Sequence, residues 1–286
     1  MPSFPIIDAH VHLYDPLALS YPWMSQIPKL NRPHGIAEFR RLTEGVEIDG
    51  LIFVEVDVAE GRHLDEARWV EEHADPHPGL LRGIVASMPL ERGAEAVAAD
   101  LEAFAALPHA RGVRRLLERH EQESGWALRA PFIEGVRLLA RYNLPFDLCL
   151  RHTQLAEATQ LVRSCPEVRF VVDHIAKPAI KAGIREPWDR ELRELAAEPN
   201  VICKISGVVT EADHDTWTYD QVAPFIAHAI DCFGFDRIMF GGDWPVSELA
   251  TSYRRWVDVV DRVTAGASKA DLTKLYRENA IAFYRP

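Results

Sequence analysis

Residues 94–117 read AEAVAADLEAFAALPHARGVRRLL, and the change of rhythm inside that stretch decides the fold. Its first part, residues 94–107, is built from strong helix formers, with Val97, Leu101, Phe104 and Ala105 spaced to share one helical face. Its second part, residues 112–117, has the length of a strand. A helix that covers a sheet, followed by a strand, is one step of a repeating pattern.

Working outward, the pattern continues in both directions. Short apolar runs occur at residues 5–13, 51–58, 81–86, 112–117, 146–150, 170–174, 201–205 and 238–240. Successive runs start 24 to 46 residues apart, close to the roughly 30 residues of a strand–helix–strand unit. Helical periodicity fills the gaps at residues 64–73, 132–141, 155–164, 188–197, 223–233 and 253–263, and residues 268–283 close the chain. Eight near-continuously apolar strands alternating with helices predict an α/β chain with a parallel sheet, most simply a single-domain (β/α)8 barrel over residues 1–286. The rival, an open doubly wound sheet, lacks its usual glycine-rich nucleotide turn, because neither GxGxxG nor GxxxxGK[ST] occurs. Residues 14–34 hold four prolines and no clear period, so they form a long first βα loop of the kind that carries function.

Composition narrows the classes. The net charge of −11 argues against a nucleic-acid partner, since duplex affinity rests on basic side chains neutralising phosphates. Cys149, Cys165, Cys203 and Cys232 form no CxxC pair and suit a reducing cytoplasm. No window approaches the roughly 18 apolar residues of a membrane span, and the first 25 residues lack an export pattern. The expected protein is a cytoplasmic enzyme that acts without a membrane or nucleic-acid partner, with self-association into a homo-oligomer left open.

Barrel enzymes place their chemistry at the carboxyl ends of strands. The first run ends Asp8-Ala9-His10-Val11-His12, and a period of two sends Asp8, His10 and His12 to one side. The sixth ends Asp173-His174, and the eighth runs into Gly241-Gly242-Asp243-Trp244-Pro245. His10, His12, His174 and Asp243 make a nitrogen and oxygen set suited to one divalent ion such as zinc or manganese. Each signal alone has a plain structural reading; their coincidence at three strand ends favours function. Arg114 is a candidate for polarising a carbonyl, while Arg115 and Arg119 read more readily as a solvated face or salt bridges. Arg151 and His152 are candidate substrate contacts, with a structural histidine as the alternative for His152. Trp23 and Trp244 are candidates for an apolar wall, or simply packing. Glu55 and Asp57 share a face near the mouth, and Lys204 calls for a carboxylate partner if buried.

At these residues the sequence resembles the amidohydrolase superfamily, and within it the amidohydrolase-2 group that contains sugar lactonases. The resemblance is carried by IDAHVHL (residues 7–13), YPW (21–23), RGVR (111–114), VVDHIAKP (171–178), CKISGVVTEAD (203–213) and MFGGDWPV (239–246). It implies a distorted (β/α)8 barrel with His10, His12, His174 and Asp243 around the reaction centre and Asp243 activating water. It implies hydrolysis of a small lactone, foremost a sugar aldonolactone, with one divalent ion (zinc or manganese) assisting where it is bound. Arg114 stands where metal-rich members of the superfamily carry a bridging lysine or glutamate, so a two-metal site is not expected. Within the same group lie hydrolases of pyrone-dicarboxylate or muconolactone type and metal-dependent decarboxylases. A sugar-acid binding module without catalysis is the alternative outside the enzymes.

Overall fold

The computed structural model describes residues 2–73 and 79–285. Eight strands pair in parallel in the order of the chain: β1 (Ile6–Val11), β2 (Ile48–Val54), β3 (Leu81–Ser87), β4 (Ala110–Leu116), β5 (Phe146–Cys149), β6 (Phe170–Val172), β7 (Val201–Ile205) and β8 (Ile238–Phe240). The sheet curls back on itself. The Asp243 N–H donates to the His10 carbonyl and the His12 N–H to the Trp244 carbonyl, each at 2.8 Å, which ties β1 to the chain leaving β8. The result is the expected (β/α)8 barrel.

The outer ring comprises α1 (Ile36–Leu42), α2 (His63–His73), α3 (Ala94–Ala105), α4 (Ala130–Leu138), α5 (Leu155–Ser164), α6 (Trp188–Ala196), α7 (Tyr219–Phe233) and α8 (Tyr253–Val263). Where residues 268–283 read as one helix, the chain forms α9 (Lys269–Thr273), a π-helical turn and α10 (Asn279–Tyr284). The short α1 was not legible in the sequence; it buries only Ile36 and Phe39 and shows no extended period. No helix of the described residues is long and apolar enough to cross a membrane.

Strand alternation sorts the interior into layers. Phe53, Ile84, Val113, Phe146 and Phe170 face outward into the core beneath the helices, where each large side chain contributes roughly 1.5–3 kcal/mol by leaving water. Ile7, Ile52, Val85, Val171 and Met239 face inward and meet Phe283 and Tyr284 of α10, which close the floor of the barrel. Above that apolar floor the inward positions turn ionic, at Arg114, Asp147 and Lys204. The site sits on this ionic layer.

One inward assignment fails. The register of β1 slips against β2 between Asp8 and Val11, so Asp8 does not share a side with His10 and His12. Its carboxylate bonds α8 instead, accepting the Tyr253 hydroxyl at 2.8 Å, together with the Gly242 N–H at 2.8 Å and the His10 N–H at 3.0 Å. Asp8 is therefore a clasp between β1, the β8 exit and α8.

Candidate active site at the carboxyl ends of the strands

His10, His12, His174 and Asp243 converge from three strand ends, as the spacing predicted. His12 Nδ1 lies 2.8 Å from the Val54 carbonyl. A carbonyl only accepts, so Nδ1 carries a proton, while Nε2 lies 3.3 Å from Asp243 Oδ1. His10 is fully buried, and burial lowers its pKa well below the usual histidine value. Its ring lies between Asp173 Oδ1 (3.4 Å), Lys204 Nζ (3.3 Å) and Arg114 Nη1 (3.4 Å), with Asp243 Oδ1 at 3.7 Å. His174 Nδ1 pairs with the Ser206 hydroxyl at 2.9 Å, and burial lowers its pKa too. For Asp243 burial alone would raise the carboxyl pKa, but the His174, His12 and His10 rings prevail and hold it well below the usual range. The site thus sets a carboxylate of lowered pKa beside two histidines, His10 and His174, whose own pKa burial lowers.

The backbone that delivers these groups is strained. Asp243 has φ +53°, and residues 174–177 run left-handed in succession, with φ of 53°, 49°, 62° and 45°. Such a conformation costs an L-residue roughly 1–2 kcal/mol, and more for a β-branched residue such as Ile175. Cross-links hold it. The Trp188 indole N–H donates to the Ile175 carbonyl at 2.8 Å, and His152 Nδ1 donates to the Lys177 carbonyl at 3.0 Å. Strain maintained in this way is characteristic of functional sites.

Beneath the histidines lies a buried charge network. Arg114 donates through Nε to Glu55 Oε1 (2.7 Å) and through Nη2 to the Glu55 carbonyl (2.6 Å), with Nη1 3.4 Å from Asp173 Oδ2. Lys204 bridges Asp147 Oδ2 (2.6 Å) and Asp173 Oδ1 (3.1 Å), and the Tyr284 hydroxyl donates to the same Asp147 oxygen at 2.8 Å. The carboxylate partners that a buried Lys204 requires are thus Asp147 and Asp173.

Above the network opens a cavity of about 260 Å³, just under the roughly 300–1,000 Å³ of most small-molecule sites. His12, His174, Asp243 and Arg114 line it, and Trp23 forms part of its wall with its indole N–H fixed on the Val56 carbonyl at 2.8 Å. Three of the expected substrate contacts lie elsewhere. Trp244 is fully buried and packs edge-on against His34 and Phe39, so it belongs to the core. Arg151 is not among the residues lining the cavity; it lies within 4 Å of Glu118, Glu121 and Glu211. His152 supports the Lys177 carbonyl and reaches no further. In their place stand residues that sequence reading passed over: Lys177, Glu118 and Cys149, with Thr210 and the loop residues Ile27 and Leu30. Lys177 follows His174 within one strand-end motif, which was the available signal.

The donor set suits a divalent ion. Ligand atoms of His10, His174 and Asp243 lie within 4.8 Å of one another, and His12 Nε2 lies 3.3 Å from an Asp243 oxygen. Imidazole and carboxylate together match zinc or manganese.

The chain resembles solved structures and named proteins along its whole length. An amidohydrolase from Burkholderia multivorans, solved with bound zinc, superposes with a TM-score of 0.88 at 28% identity, covering 99% of each chain. An L-fucono-1,5-lactonase from Burkholderia ambifaria is 34% identical over 195 residues, 65% of each chain. An L-rhamnono-gamma-lactonase from Scheffersomyces stipitis is 21% identical over 345 residues, 99% of each chain. The sequence pattern of the amidohydrolases extends over residues 7–285, from the first strand to the last helix, and on that match the chain belongs to the amidohydrolase family.

Proposed function

We propose that this protein is a hydrolase that opens the ring of a small lactone, a sugar aldonolactone, with Asp243 as the base that activates water. One observation carries the reading: a carboxylate held ionised by three imidazoles at the wall of a cavity of monosaccharide size. The lactonase relatives support the substrate class.

In this reading Asp243 takes a proton from a water molecule as it attacks the lactone carbonyl, and returns it to the ring oxygen as the C–O bond breaks. Arg114 and His174 face the developing oxyanion, and their fixed positions spare the reorganisation that water would need. An ester's alkoxide leaves more readily than an amine, so a single base suffices. His10, His12, His174 and Asp243 would hold one zinc or manganese ion, which supplies polarisation of the carbonyl and acidification of water when bound. The chain acts as one domain. Its four free thiols accord with a reducing cytoplasm, and its net acidity opposes a nucleic-acid partner.

Ring opening releases one acid per turnover, so a pH-indicator screen over aldono-1,4- and aldono-1,5-lactones tests the proposal. Proton release above the spontaneous rate on at least one of them is expected. No release across the panel, with and without added zinc or manganese, overturns it.

A further inference from the structure

We infer that the cavity selects uncharged, hydroxyl-bearing lactones against lactones that carry a carboxylate or sulfonate, and that Glu118 and Asp57 make the selection. This rests on the lactone-hydrolase reading above and names the charge class of its substrate.

The cations that line the cavity are Arg114, Arg119 and Lys177, and each is already paired with a carboxylate. Arg114 is bonded to Glu55 at 2.7 Å, Arg119 is ion-paired with Asp57, and Lys177 Nζ donates to Glu118 Oε2 at 2.7 Å. Asp57 and Glu118 themselves line the cavity, with side chains about one-fifth exposed. Behind Glu118, Arg151 lies within 4 Å of Glu118, Glu121 and Glu211, so carboxylates outnumber cations on that side. A charged substituent entering here stands beside a carboxylate or must displace one from its partner, and like-charge juxtaposition is a strong means of rejection.

The same pairs suit hydroxyls. A carboxylate accepts from an O–H while its ammonium or guanidinium partner donates to the neighbouring oxygen, so each pair can engage a vicinal diol without changing its own charge. Trp23, Leu30, Val56 and Leu116 provide an apolar surface for the C–H face of a sugar ring. The wall is also fixed in place: Asp57 is left-handed at φ +58° and its N–H donates to Glu55 Oε2 at 2.6 Å, while Lys177 is the last residue of the left-handed run. A polar wall held this rigidly discriminates sharply against a ligand that leaves its groups unpaired.

The test compares kcat/KM for a neutral aldonolactone with that for the aldarolactone of the same ring, in which a carboxylate replaces the terminal carbon substituent. Wild-type protein is expected to prefer the neutral lactone by about 100-fold or more. Glu118→Gln and Asp57→Asn each release a cation; they should raise kcat/KM for the anionic lactone about tenfold or more, through KM, while lowering it for the neutral one. Such opposite movements cannot come from partial unfolding. Comparable wild-type turnover of both lactones overturns the inference while leaving the hydrolase reading intact. So does a preference ratio unmoved in a folded variant, for the residue concerned. If a variant fails to fold, the wild-type ratio and the other variant decide. Failure of the wild type to open any lactone removes the hydrolase reading and this inference with it.

Discussion

His12 stands between two oxygens: its Nδ1 donates to the Val54 carbonyl at 2.8 Å, and its Nε2 lies 3.3 Å from Asp243 Oδ1. In that position the carboxylate, held below the usual range by the His174, His12 and His10 rings, lines the cavity where a water can give up a proton to it. Asp243→Asn keeps the shape and removes the charge. Turnover should fall by roughly 10²- to 10⁴-fold, with a thermal midpoint close to wild type. A variant that retains its kcat on the lactone would remove Asp243 from the chemistry.

The same relation predicts that a divalent ion stabilises the fold. A ligand that binds only the native state raises Tm, by an amount that grows with the logarithm of its concentration above Kd, so zinc added to chelated protein should shift the melting curve upward. His10→Ala and Asp243→Asn should abolish that shift. An equal shift in wild type and both variants would place the ion elsewhere on the surface.

The barrel was legible in the sequence because its signal is repetitive: apolar runs such as Phe170–Val172 recur between segments such as Leu155–Ser164. His10, His12, His174 and Asp243 were legible because they sit at the ends of those runs. Asp8 was misread because a register slip within β1 changes the phase of alternation, and no residue type announces a slip. Trp244 and Arg151 were misplaced for a related reason, since beyond a strand end the direction of a side chain depends on loop backbone. The left-handed run that starts at His174 contains no glycine, so the usual mark of such a conformation was absent. Glu118 escaped notice because its importance comes from Lys177, 59 residues away in sequence.

Lys204 is fully buried between Asp147 and Asp173. Lys204→Met would leave two buried carboxylates without their shared cation, and breaking such a pair typically costs about 3–5 kcal/mol. Urea denaturation should show a midpoint lowered accordingly. A change below 1 kcal/mol would mean that water already reaches the network.

Glu66 of α2 reaches the end of β2, where both its carboxylate oxygens lie within 3.3 Å of the Val56 N–H. Burial, followed by the charge of Glu55, pushes its pKa up to about 8 from 4.5. The native state then keeps a proton that the unfolded chain has lost, so this contribution is complete below about pH 4.5 and disappears as pH rises through about 8. Glu66→Gln is neutral throughout and retains an acceptor for Val56. The Tm of the variant minus that of wild type should therefore increase as pH is raised across this interval; a flat difference would mean that Glu66 is ionised in the fold.

Gly207, just past β7, has φ +59°, and a Cβ added there would stand 2.5 Å from Asp243 Oδ2 and 2.6 Å from His174 Nδ1. Neither neighbour can yield without moving the reaction centre: His174 is bonded to Ser206 and Asp243 is fixed by its backbone N–H on the His10 carbonyl. The three heavy atoms nearest to the added methyl all belong to Asp243 and His174. Gly207→Ala should thus separate catalysis from folding, because displacement of catalytic groups by about 1 Å can cost 10²-fold in rate, while the left-handed backbone costs an alanine only about 1–2 kcal/mol. A drop in kcat of that order with a cooperative melt is the expected result. If kcat is preserved, His174 and Asp243 do not act from the positions the structure gives them.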